Sequence, residues 1–306
     1  MTPLVSVVIP TAQRPALVGR ALRSVLGQTH AALDVIVVID GVDPDTVLAL
    51  AAFTDVRLRV LQTAEPYGAG AVRNLAAQMA RGDWIAFLDD DDEWLPGKIE
   101  RQLAAADGRE VLVSCRSRVV TARGADIWPR RVYDGRMPVD EYLFDRRSLF
   151  RGESHIGTST FLMPAGLFAR TGFSTDRQNE DTTLLLRVTK LEGAAILMVP
   201  DTLVVLHKEE ARASLGNRFD WREMLGWVDG MGPLVTKRAY SGFCLIYLGS
   251  QAARRGDLAG FVTLLRRAFA RGAPTAMQLL PFFAFWLIPG GLRRWVRMVV
   301  RRRAAC

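Results

Sequence analysis

In Trp84-Ile85-Ala86-Phe87-Leu88-Asp89-Asp90-Asp91-Asp92, five apolar residues run directly into four consecutive carboxylates. The apolar part has the length and composition of a buried strand, so the acids lie at its carboxyl end. Four adjacent carboxylates repel one another and cost stability unless a cation or fixed donors offset the charge. Carboxylate oxygens are the preferred ligands of Mg²⁺ and Mn²⁺, which usually complete their shells with substrate phosphates. A solvated acidic turn capping a helix that begins at Leu95 is the alternative, because aspartate favours helix N-termini. Both readings stand open on these residues alone.

Working outward, the same strand-then-helix unit recurs. Leu4-Val5-Ser6-Val7-Val8-Ile9 is a β-branched run closed by Pro10, the pattern of a strand buried on both faces. Val18, Ala21, Leu22, Val25 and Leu26 then fall on one face of a helix that starts after Pro15 and ends near Gly27. Asp34 to Ile39 reads as a second buried strand, 46–52 as a short helix, 56–61 as a third strand and 69–80 as a helix. After the acids come a helix at 95–106 and a strand at 111–117, then a loop-rich, Arg-rich stretch to about Gly152. A helix at 181–191 and two strand-like runs, 195–199 and 203–207, follow; beyond Phe219 the chain reads as all helix, with a helical hairpin at 252–272. Such alternation predicts parallel βαβ units in an open α/β sheet, where ligands bind outside the carboxyl ends of the strands. Asp40 and Asp89 to Asp92 are both at such ends.

Composition narrows the function classes. The 306 residues, 49% hydrophobic, suffice for a sizeable core without staples. Cys115, Cys244 and Cys306 are far apart with no metal-ligand spacing, which argues against a disulfide framework or a zinc site. The first ten residues carry no basic region and no cleavage site, so the expectation is a protein that stays inside the cell. The net charge of +8 is uneven: residues 231–306 hold 13 Lys and Arg against one acid, Asp257, leaving 27 basic and 31 acidic residues before them. With no base-stacking motif or zinc finger alongside it, this split excludes a nucleic-acid binder and favours anionic lipid as partner.

Four motifs occur in order: Val5-Ser6-Val7-Val8-Ile9-Pro10-Thr11, Val37-Val38-Ile39-Asp40-Gly41, Arg73-Asn74, and Phe87-Leu88 with the four aspartates. As a set, over roughly residues 4 to 210, they resemble family 2 of the glycosyltransferases. The resemblance implies a GT-A fold, with a Rossmann-like, mostly parallel central sheet flanked by helices, and an inverting transfer from a nucleotide diphosphate sugar, most often a UDP-sugar. It implies that Asp40 accepts a hydrogen bond from the nucleotide base, that Pro10 and Thr11 wall the same pocket, and that Arg73 lies by the base or phosphates. Its DxD-type motif implies a divalent cation, Mn²⁺ or Mg²⁺, on Asp91 and a donor contact at Asp89, with Asp90 and Asp92 as register partners. The run Asn179-Glu180-Asp181-Thr182 resembles the family's ED motif opening a helix, which makes Asp181 the general base with Glu180 beside it; an acidic helix N-terminus is compatible with both.

Gly157-Thr158-Ser159-Thr160 resembles the segment lining the acceptor or donor-sugar pocket. His207 would ligand the metal or contact phosphate, with Lys208 and Ser214 nearby, unless it is a structural histidine at a strand end. Two departures matter. Ala12 and Gln13 stand where the family commonly has an aromatic residue and Asn, and the QxxRW motif of processive synthases is absent, which favours transfer of a single sugar. A sugar nucleotidyltransferase is disfavoured because no Gly-rich phosphate loop with a following Lys adjoins the first strand. A non-catalytic nucleotide-sugar or glycan-binding module is disfavoured by the intact Asp89, Asp91 and Asp181.

The expected division is a catalytic domain at 1–218 and a helical, basic region at 219–306. Within the latter, 276–289 is apolar and aromatic but interrupted by Pro281 and shorter than the ~20 residues a spanning helix needs. Arg293, Arg294, Arg297, Arg301, Arg302 and Arg303 follow with no acid, the composition of a segment lying on an anionic leaflet. A peripheral protein on the inner face of the cell membrane, acting on a glycan or lipid-linked acceptor, is the resulting expectation.

Overall fold

Val5–Thr11 forms strand β1 with every residue buried, Ser6 included, whose hydroxyl donates to Asp34 at 2.7 Å. The computed structural model describes residues 2–122, 124–145, 153–175, 179–208 and 220–288. They divide into two units, Met1–Arg136 with Ser154–Ala211 and Met137–Glu153 with Arg212–Cys306.

In chain order, α1 (Pro15–Leu26), β2 (Leu33–Ile39), α2 (Pro44–Ala51), β3 (Leu58–Gln62), α3 (Ala69–Gln78) and β4 (Trp84–Phe87) complete the alternating half of the first unit. Then come β5 (Glu93–Trp94), α4 (Lys98–Ala106), β6 (Val111–Thr121), β7 (Gly124–Trp128), α5 (Val139–Phe144), β8 (Leu162–Pro164), α6 (Ala165–Thr171), α7 (Glu180–Val188) and β9 (Ala195–His207). The helices α8 (Trp221–Gly230), α9 (Lys237–Gly242), α10 (Gly249–Arg255), α11 (Leu258–Arg271) and α12 (Ala276–Leu287) follow. α5 belongs to the second unit.

The sheet of the first unit runs β3-β2-β1-β4-β8-β6-β9-β5, with β7 paired to β6. β3, β2, β1 and β4 are parallel, in register through Val7↔Val35 and Val8↔Phe87. All four therefore end at one edge, where Thr11, Asp40 and Asp89 emerge. β8 inverts the direction, being antiparallel to both β4 and β6. Val18, Ala21, Leu22 and Val25 of α1 pack without exposure against Val5, Val7 and Val35; full burial of each valine or leucine side chain contributes about 1.5–3 kcal/mol.

Several expected elements differ. β3 is an edge strand rather than a buried one, and Val56, 98% exposed, lies before it. The middle read as loop contains the rest of β6 and its hairpin partner β7. The two runs at 195–199 and 203–207 are one strand, whose pairing with β6 shifts register opposite Pro200, a residue with no N–H to donate. The helix expected at Leu95 starts at Lys98 behind a Gly97 cap with no side-chain bond, so the aspartates do not cap it.

The second unit has its own core, in which Trp221, Met224, Phe243, Leu248, Leu264 and Phe282 are buried together. Against the expected boundary at residue 218, α5 joins this core: Phe144 meets Phe243 at 4.8 Å, and buried Asp145 accepts from Arg238 Nε at 2.7 Å and Gln278 Nε2 at 2.8 Å. Among the described residues each unit buries one free thiol, Cys115 in the first and Cys244 in the second; burial pushes both up to about 12. No helix among the described residues is long and apolar enough to cross a membrane. Ser214 and the arginine-rich stretch from 289 on lie outside the described residues.

Candidate functional site

The carboxyl edge of the parallel strands carries a linked set of charged residues. Leu88 N–H donates to Val8 O at 3.0 Å, so the chain stays on the ladder up to the first aspartate. The next residues turn, with Asp92 N–H donating to Asp89 O at 3.1 Å. Ser159 fastens both ends: its hydroxyl accepts from Asp89 N–H at 3.2 Å and donates to Asp92 Oδ2 at 2.6 Å. The Ser159 carbonyl in turn accepts from the Trp94 indole at 2.8 Å, and the adjacent Thr160 carbonyl accepts from Gln102 Nε2 at 2.8 Å.

One oxygen each of Asp89, Asp91 and Asp92 lie within 4.8 Å of one another. Asp90, Asp91 and Asp92 are buried. Burial, and then the neighbouring charge of Asp89, raises Asp92 to about 7. Three hard oxygen donors gathered in a place that disfavours their negative charge fit a divalent cation of the Mg²⁺ or Mn²⁺ kind. Arginines line the same turn: Arg14 Nη1 is 3.1 Å from Asp90 and 3.8 Å from Asp91, and Arg20 Nη2 donates to the Asp91 carbonyl at 2.6 Å.

Arg73 connects this turn to the Glu180-Asp181 pair. It stands on α3, is 4% exposed, and donates to Asp89 Oδ1 at 2.6 Å and to Glu180 Oε1 at 3.2 Å. Its guanidinium carbon is also 5.1 Å from the centre of the Phe173 ring, while its Nε has no hydrogen-bond partner. The next residue, Asn74, clamps the same segment by a reciprocal pair, donating to Phe173 O and accepting from Phe173 N–H, both at 2.9 Å. Gly70 permits the close approach, since a Cβ there would lie 2.5 Å from Ser174 O. Asp181, at the start of α7, accepts from Thr182 N–H at 2.6 Å. Burial and the adjacent Glu180 raise its carboxyl to about 6.

Pro10 lies buried in β1 opposite Val38. The hydroxyl of Thr11 donates to Asp90 Oδ2 at 2.8 Å. Asp40 accepts from Tyr67 N–H at 2.7 Å and Gly68 N–H at 2.9 Å, one on each oxygen, which orders the loop into α3. Each oxygen keeps further acceptor capacity. His207 Nε2 is 2.6 Å from Glu93 Oε1, and its backbone N–H donates to Asp92 at 3.3 Å. Among the described residues, the carboxylate of Asp92 rather than His207 completes the group around Asp89 and Asp91.

Ser159, Arg14 and Arg20 join the acidic turn although no motif in the sequence marks them for it. The available signal for the arginines was topological: α1 begins where β1 ends, so a basic residue in its first turns meets the edge that carries the acids. For Ser159 no local signal existed, because it approaches from 67 residues away.

The Glycosyl transferase family 2 model matches residues 6–171, more than half of the chain, and the chain belongs to that family. Over 101 residues it is 35% identical to the UDP-Glc:alpha-D-GlcNAc-diphosphoundecaprenol beta-1,3-glucosyltransferase WfgD of Escherichia coli, a match covering 33% of this chain and 40% of that protein. The alignment thus spans well under half the length of that relative. The fold is similar to that of S. aureus TarS residues 1–349, with TM-score 0.57, 15% identity and coverage of 85% of this chain and 90% of that one. It is also similar to the mannosyltransferase PcManGT from Pyrobaculum calidifontis, solved with GDP-Man and Mn²⁺, with TM-score 0.57, 19% identity and coverage of 97% and 84%. The first unit is a GT-A fold.

Proposed function

We propose that this protein transfers a single sugar from a nucleoside diphosphate sugar, a UDP-sugar, to a glycan or lipid-linked acceptor with inversion at the anomeric carbon. The observation that carries the reading is Arg73, which ties the acidic turn at Asp89 to the Glu180-Asp181 start of α7 through bonds of 2.6 and 3.2 Å. A cation-binding turn and a carboxyl group held up at about 6 are thereby kept together. The UDP-Glc donor and diphosphoundecaprenol-linked acceptor in the name of WfgD support the donor and acceptor classes.

Asp89, Asp91 and Asp92 would hold the divalent cation, which when bound supplies positive charge to the leaving diphosphate. Support for Mn²⁺ comes from the PcManGT complex, and Mg²⁺ satisfies the same oxygen donors. Pro10, Thr11 and Asp40 serve the nucleotide, Asp40 through the acceptor capacity left beside its two N–H bonds. Arg73, always cationic, adds its charge where the diphosphate gains negative charge. Asp181 takes the proton of the acceptor hydroxyl as that oxygen bonds to the anomeric carbon; the bond from that carbon to the diphosphate oxygen breaks, and the electron pair leaves with the diphosphate. A carboxyl near 6 is mostly ionised at neutral pH yet more basic than an ordinary aspartate, which suits this work. A place at the inner face of the cell membrane follows from a lipid-linked acceptor and the basic tail.

The test is a panel of nucleotide sugars with Mn²⁺, scored first by thermal stabilisation and then by release of nucleoside diphosphate. Stabilisation by one donor, with release by the wild type and not by Asp181→Asn, is the expected result. Stabilisation without release from either protein would mark a binding module instead.

A further inference from the structure

The second unit presents more apolar surface than its core needs. On α11, Leu258, Val262 and Phe269 fall on one side at helical spacing, beside Leu265, which packs partly against the core of the unit. Leu258 is 72%, Val262 53% and Phe269 59% exposed, while the helix packs inward through Gly260, Leu264 and Ala268 instead. α12 repeats the arrangement: Gln278 and Phe282 are buried, whereas Met277, Leu280, Phe283 and Leu287 face outward, with Leu280 68% and Leu287 78% exposed. The twelve residues of α12 include no charged side chain. The two helices touch through Phe261, whose ring stacks on Phe282 at 5.2 Å and meets Phe283 at 6.0 Å. The exposed stripes are thus neighbours, joined at an aromatic seam.

The charged side chains on the two ridge helices are all arginines, and Asp229 of α8 is held by two of them, Arg267 at 3.5 Å and Arg271 at 2.5 Å. Arg254 and Arg255, in the last turn of α10, and Arg266 on α11 are exposed beside it. The one acid from residue 231 onward, Asp257, is already engaged: it caps α11 through Gly260 N–H and accepts from the Trp221 indole and Arg222, both at 2.9 Å. An apolar stripe flanked by arginines suits a bilayer interface, where alkyl and aromatic groups enter the acyl boundary and guanidinium groups remain at anionic headgroups. A second copy of the chain is a poorer occupant, because a self-complementary contact would set these arginines against each other.

We propose that the paired outer faces of α11 and α12 form a membrane-docking ridge that inserts into the interface of an anionic bilayer. This rests on the membrane-surface part of the function proposed above but relocates it, from the arginine tail to a folded two-helix surface.

The experiment uses the full chain and co-sedimentation with extruded vesicles of phosphatidylglycerol and phosphatidylcholine, against phosphatidylcholine alone. Three proteins are compared: wild type, a ridge variant (Leu258→Gln, Phe269→Gln, Leu280→Gln, Leu287→Gln), and a tail variant with Arg293, Arg294, Arg297, Arg301, Arg302 and Arg303 changed to Gln. The substituted ridge positions are exposed, so an unchanged thermal melt and unchanged nucleotide-sugar stabilisation are required of that variant. The expected result is anionic-selective binding by the wild type, weakened about tenfold or more in the ridge variant, with part of the tail variant's binding surviving 0.5 M salt, since apolar insertion is not screened. Ridge and wild-type proteins binding alike while the tail variant fails would overturn the ridge and leave the tail-based reading standing. No binding by any of the three would overturn both, without touching the proposed sugar transfer. A wild-type dimer that the ridge variant converts to monomer in sedimentation velocity, with vesicle binding unchanged, would assign the face to self-association and overturn the proposal.

Discussion

The hydroxyl of Ser159 donates to the Asp92 carboxylate at 2.6 Å while accepting the Asp89 N–H at 3.2 Å. One side chain therefore ties the backbone at the start of the proposed cation site to the carboxylate at its end. Ser159→Ala removes both bonds and frees the turn to open. Mn²⁺ affinity, followed by the electron paramagnetic resonance of unbound Mn²⁺, should fall about 10- to 100-fold, the range for supports of metal ligands. An unchanged affinity would show that the turn holds its shape without the serine.

Arg73→Gln leaves Asp89 and Glu180, both partly exposed, without their shared cation. The loss of hydrogen bonds to charged groups costs about 1.5–3 kcal/mol, read here as a lower midpoint in urea denaturation. Arg73→Lys should recover only part of this loss, because one ammonium lacks the fork that reaches two carboxylates.

Asp181 sets a pH dependence. As the proposed base it must be ionised, so kcat/KM should fall as pH drops through about 6. The same group affects stability with a definite sign. Its carboxyl is raised above the ordinary 3.8, so the cost of ionising it in the fold is absent below 3.8 and complete above about 6. Asp181→Asn should therefore melt higher than wild type at pH 8, with the gap closing toward pH 4, while losing transferase activity. A constant gap across that range would exclude the assignment.

Gly70→Ala should be costly although alanine is the better helix former, because its methyl group would overlap Ser174 O at 2.5 Å. The segment carrying Phe173 and Glu180 must then move away from α3. A loss of ~1–3 kcal/mol in denaturation is expected, together with a larger loss of turnover than of stability at the assay temperature.

The parallel half of the sheet was legible because β1, β2 and β4 are buried on both faces and so appear as predominantly apolar runs, in which the polar Ser6 and Asp34 bond each other. β3 shared that pattern only in part, since an edge strand needs one covered face and tolerates Arg59 and Gln62. The far end of β6 escaped notice because Arg116 and Arg118 interrupt its apolar residues, and its partner β7 is mostly exposed. In the site, the acids were legible because they are consecutive. What holds them was not: Ser159, Arg14 and Arg20 come from 67 to 76 residues away, and only the fold brings them near. The resemblance likewise gave Arg73 a donor-facing role without indicating that Asp89 and Glu180 both pair with it.

Cys115 and Cys244, each sealed in a different unit and each far from ionising at neutral pH, make the two units separately timeable. A thiol reagent reacts with the thiolate, so neither cysteine can be labelled until the structure around it opens. In a Cys306→Ser background, the mass-resolved labelling of each site becomes a local clock. Unequal rates would show that the unit with the faster-labelled cysteine loosens while the other stays closed, and equal rates would show that the whole chain opens as one.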